Sequence, residues 1–215
     1  MKTNRTLRSI SVKRRPQAPT ASDTSLILQS LPDDLCSSLI FKKPKNYLAL
    51  RTSFTYKEQL LVLENEQIEF KGYSFPFSSS LSDKITQTIN AFLNNKGGRL
   101  YIGINNDSIV QGIELTYTKM DELKLSILNQ LSSFEPPVRM GDRVSVHFLP
   151  VKNETGFAMP GLFVVKILVK PGNPRILYSV EPRSSRCYIR LDGQNIYLTY
   201  KEVMDEIIKR YNCKE

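Results

Sequence analysis

Apolar residues recur at helical spacing in three stretches of the chain. Over 82–95, Ile85, Ile89, Phe92 and Leu93 fall on one face, with Ser82 as N-cap, Asp83 at the positive helix end and Gly97 as terminator. Over 118–132, Met120, Leu123, Ile127, Leu128 and Leu131 share a stripe behind a Thr118–Asp121 capping box. From Thr199, with Glu202 as its capping partner, Val203, Met204, Ile207, Ile208 and Tyr211 form a third stripe that is expected to pack on a sheet. Period-two alternation marks strands at 67–71 and 144–148, 99–104 and 108–113 read as two further strands, and 162–169 reads as a longer apolar strand. Asn105-Asn106-Asp107 suits the turn of a hairpin between the second and third of these. These elements predict an α+β fold: a mixed, mostly antiparallel sheet packed with about three helices.

Chemistry concentrates between residues 64 and 107. In the 67–71 strand Glu69 and Lys71 share one face with Gln67, and Glu64 stands just before it. Carboxylate oxygens beside a lysine suit a divalent metal held against a phosphate, because such ions take oxygen ligands and offset charge developing on phosphorus. The same acids also read as ordinary residues of a loop and an edge strand, and Asp107 as turn chemistry. Gly97-Gly98 reads as a helix cap rather than a phosphate cradle, since no glycine-rich loop precedes a helix here. His147, the single histidine, lies on the polar side of its strand and reads as a surface residue rather than a general base.

The ordered set of motifs resembles the schlafen AlbA-type domain. That domain has a Glu, four residues, then Glu-Phe-Lys; a helix ending Ala-Phe-x-Asn-x-x-Gly-Gly; and an apolar strand closing in Gly-Val-Asp-Asp or similar. The counterparts here are Glu64, Glu69-Phe70-Lys71, Ala91-Phe92-Leu93-Asn94 with Gly97-Gly98, and Tyr101-Ile102-Gly103-Ile104. The likeness continues through Val110-Gln111-Gly112-Ile113, Pro136-Pro137-Val138 and Tyr188-Ile189-Arg190, so it spans roughly 64–211. It implies a metal-dependent endoribonuclease, or a subunit of one, acting on transfer RNA or other structured RNA. Catalytic and metal roles carry over to Glu64 and Glu69, with Mg²⁺ or Mn²⁺ as the ion and Lys71 beside it. The third acid departs from the pattern: Asn105 and Asn106 stand where the family has Asp, and Asp107 follows one position later. Many relatives are non-catalytic binding modules, which keeps an RNA- or DNA-binding module, or a scaffold subunit, as the alternative. Animal schlafens use two such lobes, which implies a homodimer or a complex with another schlafen-like subunit.

Composition narrows this further. Cys36, Cys187 and Cys213 are odd in number and widely spaced, and there is one histidine, so no zinc site is expected and a reducing compartment, cytoplasm or nucleus, is the default. No apolar run reaches membrane-spanning length. The net charge is +9, of which the basic, acid-free tail 1–22 carries six positive charges. That tail is expected to be disordered and reads as a plain flexible segment, a basic arm, a nuclear signal or a presequence. Residues 23–63 form an extension of uncertain structure ahead of the 64–211 domain. Within the body the first half of the motif region is acidic and residues 136–190 are basic. Lys166, Lys170, Arg175, Arg183, Arg186 and Arg190, with Tyr178 and Tyr188 interleaved, are the expected nucleic-acid-binding set, cations for phosphates and rings for bases.

Overall fold

The long apolar strand expected near 162–169 stands at the centre of the sheet. The computed structural model describes residues 48–72, 79–180 and 186–212, and these lie in one compact unit that begins at Leu48. The expected tail 1–22, most of the extension and Arg183 fall outside the described residues. In chain order the elements are β1 (Phe54–Thr55), β2 (Ile68–Lys71), α1 (Ser79–Leu93), β3 (Gly98–Ile102), β4 (Ile113–Glu114), α2 (Tyr117–Leu131), β5 (Phe134–Glu135), β6 (Val144–Lys152), β7 (Ala158–Val169), β8 (Ser179–Val180), β9 (Cys187–Leu191), β10 (Gln194–Leu198) and α3 (Tyr200–Asn212). The class is α+β, with three helices and a mixed sheet.

The main sheet runs β1-β6-β7-β3-β2, with β4 also paired to β7. β7 is antiparallel to β6, β3 and β4, whereas β2 is parallel to β3 and β1 to β6. Register assigns the two faces. Leu100 lies opposite Ile167, which lies opposite Val146, and Ile102 opposite Val165, which lies opposite Phe148. These residues meet α1 through Ile85, Ile89 and Phe92 and α2 through Leu123, Ile127 and Leu131 in one buried core. Complete burial of such side chains contributes roughly 1.5–3 kcal/mol each.

On the other face Tyr101 packs edge-on against Phe54 and tilted against Phe70, each at 6.0 Å between ring centres. Residues 48–63 cover this aromatic cluster: Leu48 and Leu60 are buried, and the Tyr101 hydroxyl donates to the Leu48 carbonyl at 3.1 Å. The segment 48–63 before Glu64 is therefore part of the body. Burial pushes the Tyr101 phenol up to about 12, with Arg99 and Arg51 opposing the shift. A phenol that ionises near 10 when unfolded and near 12 when folded favours the fold fully below pH 10. Stability is expected to fall as pH rises from about 10 to 12, and Tyr101→Phe should flatten that decline in a urea titration.

Two predicted caps move. α1 starts at Ser79, three residues before Ser82, because the Ser82 hydroxyl accepts from Gln130 Nε2 of α2 at 2.5 Å and its carbonyl accepts from Thr86 Oγ1. The cap of α2 is Thr116 rather than Thr118; its hydroxyl accepts from the Lys119 N–H at 3.3 Å. Gly97 ends α1 as expected, at φ +71°, its N–H on the Phe92 carbonyl at 3.0 Å. A Cβ at Gly97 would come within 2.6 Å of the Val169 carbonyl, so the residue is fixed by space as well as by torsion.

The return leg 108–113 is not a hairpin partner of β3. Only Ile104 and Val110 bridge, and the chain then joins β7 as β4, in line with β3 on the same side of that strand. Residues 103–112 therefore leave the sheet as a loop, pinched at its base where Gln111 and Gly112 both donate to the Gly103 carbonyl. The stripe of α3 also departs from expectation. The Thr199–Glu202 box forms, and it holds the Glu202 carboxyl below its usual range, but α3 has no buried residue. It is tied down by polar contacts: Arg210 donates to the carbonyls of Ile176 at 2.8 Å and Asn94 at 2.6 Å and pairs with Glu206. Met204, Ile207, Ile208 and Tyr211 are exposed.

Candidate functional site at the edge of the sheet

β2 is an edge strand, so its outer backbone groups need partners from elsewhere. A turn at 65–67, closed by the Asn65 Oδ1–Gln67 N–H bond and the Asn65–Ile68 bridge, folds Glu64 back along that edge. Glu64 Oε1 then accepts the Phe70 N–H at 2.8 Å. Glu69 and Lys71, two apart, stand on the helix-bearing face, as the alternation predicts. Lys71 Nζ pairs with Glu69 Oε1 and lies 3.9 Å from Glu64 Oε1. The three residues do converge.

The fourth member of this cluster comes from β9. Arg190 Nη2 reaches Glu69 Oε2 at 2.6 Å, and the same guanidinium donates to the carbonyls of Asn65 and Ile68. Its Nη1 donates to Asn195 Oδ1 at 2.8 Å, and its plane lies over the Phe92 ring at 5.3 Å. Arg190 is 2% exposed and Glu69 6%, so this is a buried pair supported by further hydrogen bonds. Two glutamates face two cations, leaving the cluster without net charge.

The loop 103–112 returns to this edge. A Cβ at Gly72 would lie 3.0 Å from the Asn105 Cα, so the glycine after β2 admits the loop at close range. Asn105 Oδ1 accepts the N–H groups of Asp107 and Ile109, and Gln59 Nε2 donates to the Asp107 carbonyl. Asp107 itself is exposed. Lys71, Gly72, Lys84, Asn105, Asn106 and Asp107 together line one cavity of about 440 Å³. Lys71 thus belongs both to the glutamate cluster and to the cavity that holds Asp107. The lining offers one carboxylate and the amide groups of Asn105 and Asn106 beside two ammonium groups. Among the described residues no three His, Cys, Asp or Glu side chains stand close enough to hold an ion by themselves.

The Schlafen, AlbA_2 family model matches residues 64–199. The chain belongs to that family. It is a nucleic-acid-related family, and the matched span contains every element from Glu64 through the β9–β10 hairpin. A solved structure, the DIP2311 protein from Corynebacterium diphtheriae, is similar to this chain at 18% identity over 81% of it, with a TM-score of 0.44. The chain spans 29% of the length of that protein.

The schlafen motif residues divide sharply by role. Asn94, in the Ala-Phe-x-Asn segment, is 4% exposed and cross-links three elements. Its amide donates to the carbonyls of Tyr178 and Tyr188 at 2.8 and 3.0 Å, and its oxygen accepts the Tyr178 N–H at 2.7 Å. Asn90, one turn earlier, accepts the Tyr188 N–H and donates to the Tyr178 carbonyl.

The expected nucleic-acid set does not form one surface. Arg190 and Tyr188 are corrected: both are buried, one in the Glu69 pair and the other under the hairpin against Tyr197. Tyr178 is buried as well, so the interleaved rings belong to the core and are not offered to bases. Arg186 is half-buried beside α1 and α2, Arg175 is exposed, and Lys166 lies on the sheet face opposite the cluster, with Lys170 at that strand's end. Lys84 was missed, because its place beside the cavity depends on how α1 lies against the loop. Among the described residues no helix is long and apolar enough to cross a membrane.

Proposed function

We propose that this chain processes RNA, receiving a phosphodiester in the cavity between the β2 edge and the 105–107 turn and cleaving it in a Mg²⁺- or Mn²⁺-dependent reaction. The observation that carries this reading is Lys71, whose ammonium joins Glu69 and Glu64 while lining the cavity that also contains Asp107. Of Glu64, Glu69 and Asp107, no more than two would hold the ion at once, since no three acids stand together among the described residues. Mg²⁺ commonly uses only one or two protein carboxylates and completes its shell with water and substrate phosphate oxygens, so three converging acids are not required. Bound there, such an ion supplies Lewis-acid stabilisation and an activated water. Lys71 is placed to hold a phosphate oxygen and offset developing negative charge, Asn105 and Asn106 to donate to other oxygens, and Arg190 to orient Glu69. Transfer RNA or other structured RNA is the substrate class, in the cytoplasm or nucleus. A homodimer or a pairing with another schlafen-like subunit would supply a second wall to the open cavity.

A second reading, a binding module without cleavage, is favoured by one observation: Glu69 has both oxygens engaged by cations. The assay that decides is incubation of purified protein with transfer RNA and Mn²⁺. Cleavage is expected, abolished by chelator and reduced about 100-fold or more in Asp107→Asn and Glu69→Gln, with RNA still bound. Asp107 is exposed, so its variant reads chemistry without disturbing the fold. Salt-steep binding with no cleavage by any form of the protein would establish the binding module instead.

A further inference from the structure

The face of the sheet away from the helices is covered at one end by residues 48–63 and carries a run of cations at the other. Arg99 of β3 lies opposite Leu168 of β7, which lies opposite Ser145 of β6. One step along, Tyr101 lies opposite Lys166, which lies opposite His147. Arg99 and Lys166 are thus diagonal neighbours on a single face, a relation that sets Cα atoms roughly 7–8 Å apart. Lys170 continues the row one residue past the end of β7, its N–H on the Arg143 carbonyl at 2.8 Å. Ser145 Oγ and His147 Nε2 lie 3.0 Å apart at the same end.

No described carboxylate pairs with Arg99, Lys166 or Lys170; Asp142 stands only against Arg143, at 3.9 Å. The mutual repulsion is felt: burial and then Arg99 lower the Lys166 pKa, and burial and then Lys166 lower that of His147. We propose that this open half of the sheet, centred on Arg99 and Lys166 with Lys170, His147 and Ser145, is a docking surface for the phosphodiester backbone of a polynucleotide. It is separate from the β2 cavity, since Glu69 and Lys71 point to the opposite face, and it does not depend on cleavage there.

Three features select this partner. The positive groups are spread along two strands rather than converging on a point, which fits a linear polyanion better than a single phosphate. No aromatic ring is exposed among them, Tyr101 being fully buried, so bases are not stacked and the contact is indifferent to sequence. The half-buried Leu168 offers too little apolar area for insertion into a bilayer.

The test is fluorescence anisotropy of the full chain with labelled oligouridine and, in parallel, oligothymidine across a salt series. Arg99→Ser/Lys166→Ser is expected to weaken binding about ten-fold at moderate salt and to reduce the slope of log K against log salt by about 1.4, two contacts on a single strand. The control Lys201→Ser/Lys209→Ser removes equal charge from α3 and should leave both quantities near the parent values. Lysine acetylation of the unmutated protein, which needs no variant to fold, should show Lys166 and Lys170 protected by oligouridine and Lys201 unprotected. The same changes are expected in an Asp107→Asn background, which separates this surface from cleavage in the cavity. Parental slope in the double variant, an equal loss in the control, or absence of lysine protection would each overturn the proposal.

Discussion

Arg190→Ala is expected to lower the free energy of unfolding by about 3–5 kcal/mol, the cost of leaving buried Glu69 with one oxygen unpaired and Lys71 as its remaining cation. Three kinds of contact disappear together. Glu69 loses its partner at 2.6 Å, the carbonyls of Asn65 and Ile68 lose their donors, and Phe92 loses the guanidinium over its ring. The same substitution on an exposed surface pair would cost under 1 kcal/mol, because water screens such pairs and replaces their hydrogen bonds. Urea unfolding monitored by circular dichroism measures the difference. Glu69→Gln/Arg190→Met should recover part of the loss, since a neutral amide removes the stranded charge. A loss below about 1 kcal/mol for the single variant would show that solvent reaches the pair and that its burial is not what holds β9 to β2.

Asn94→Leu is expected to cost about 3–4 kcal/mol although it preserves size and adds apolar surface. The reason is accounting of backbone groups. Asn94 satisfies the Tyr178 carbonyl and N–H and the Tyr188 carbonyl, all inside the protein, and leucine satisfies none of them. Asn90 also reaches the Tyr178 carbonyl, at 2.9 Å, which limits the damage there to one lone pair. The neighbouring Asn95, half-buried with a single bond from its amide to the Arg190 carbonyl, provides the comparison. Asn95→Ala should lose only about 1 kcal/mol in the same denaturation experiment. Equal losses at the two positions would mean that Asn94 is not the cross-link between α1, β8 and β9.

The sequence was informative where spacing alone decides. Helical stripes located all three helices, and the two-residue period placed Glu69 and Lys71 on one side of β2. It misled where the outcome turns on contacts between distant segments. Ser82 looks like a cap until Gln130 of another helix is brought to its hydroxyl. The residues after Asp107 look like a hairpin until β7 competes for the same backbone. α3 carries a convincing apolar stripe, yet Arg210 fastens it by hydrogen bonds to the C-terminal end of α1 and leaves the stripe outside. Arg190 shows the limit most clearly. A cation in a basic stretch with Tyr178 and Tyr188 interleaved reads as an RNA contact, and only the fold reveals its partner, a carboxylate 121 positions away.

That separation bears on how the protein is made. A ribosome completes β2 long before it reaches β9, so the growing chain carries Glu69 without Arg190 until β9 is made. The edge strand is clamped, and its carboxylate fixed in direction, only when β9 has emerged. Contacts this far apart in sequence close late and slowly. Truncated translation products would therefore display every acid of the site without the geometry that makes it one.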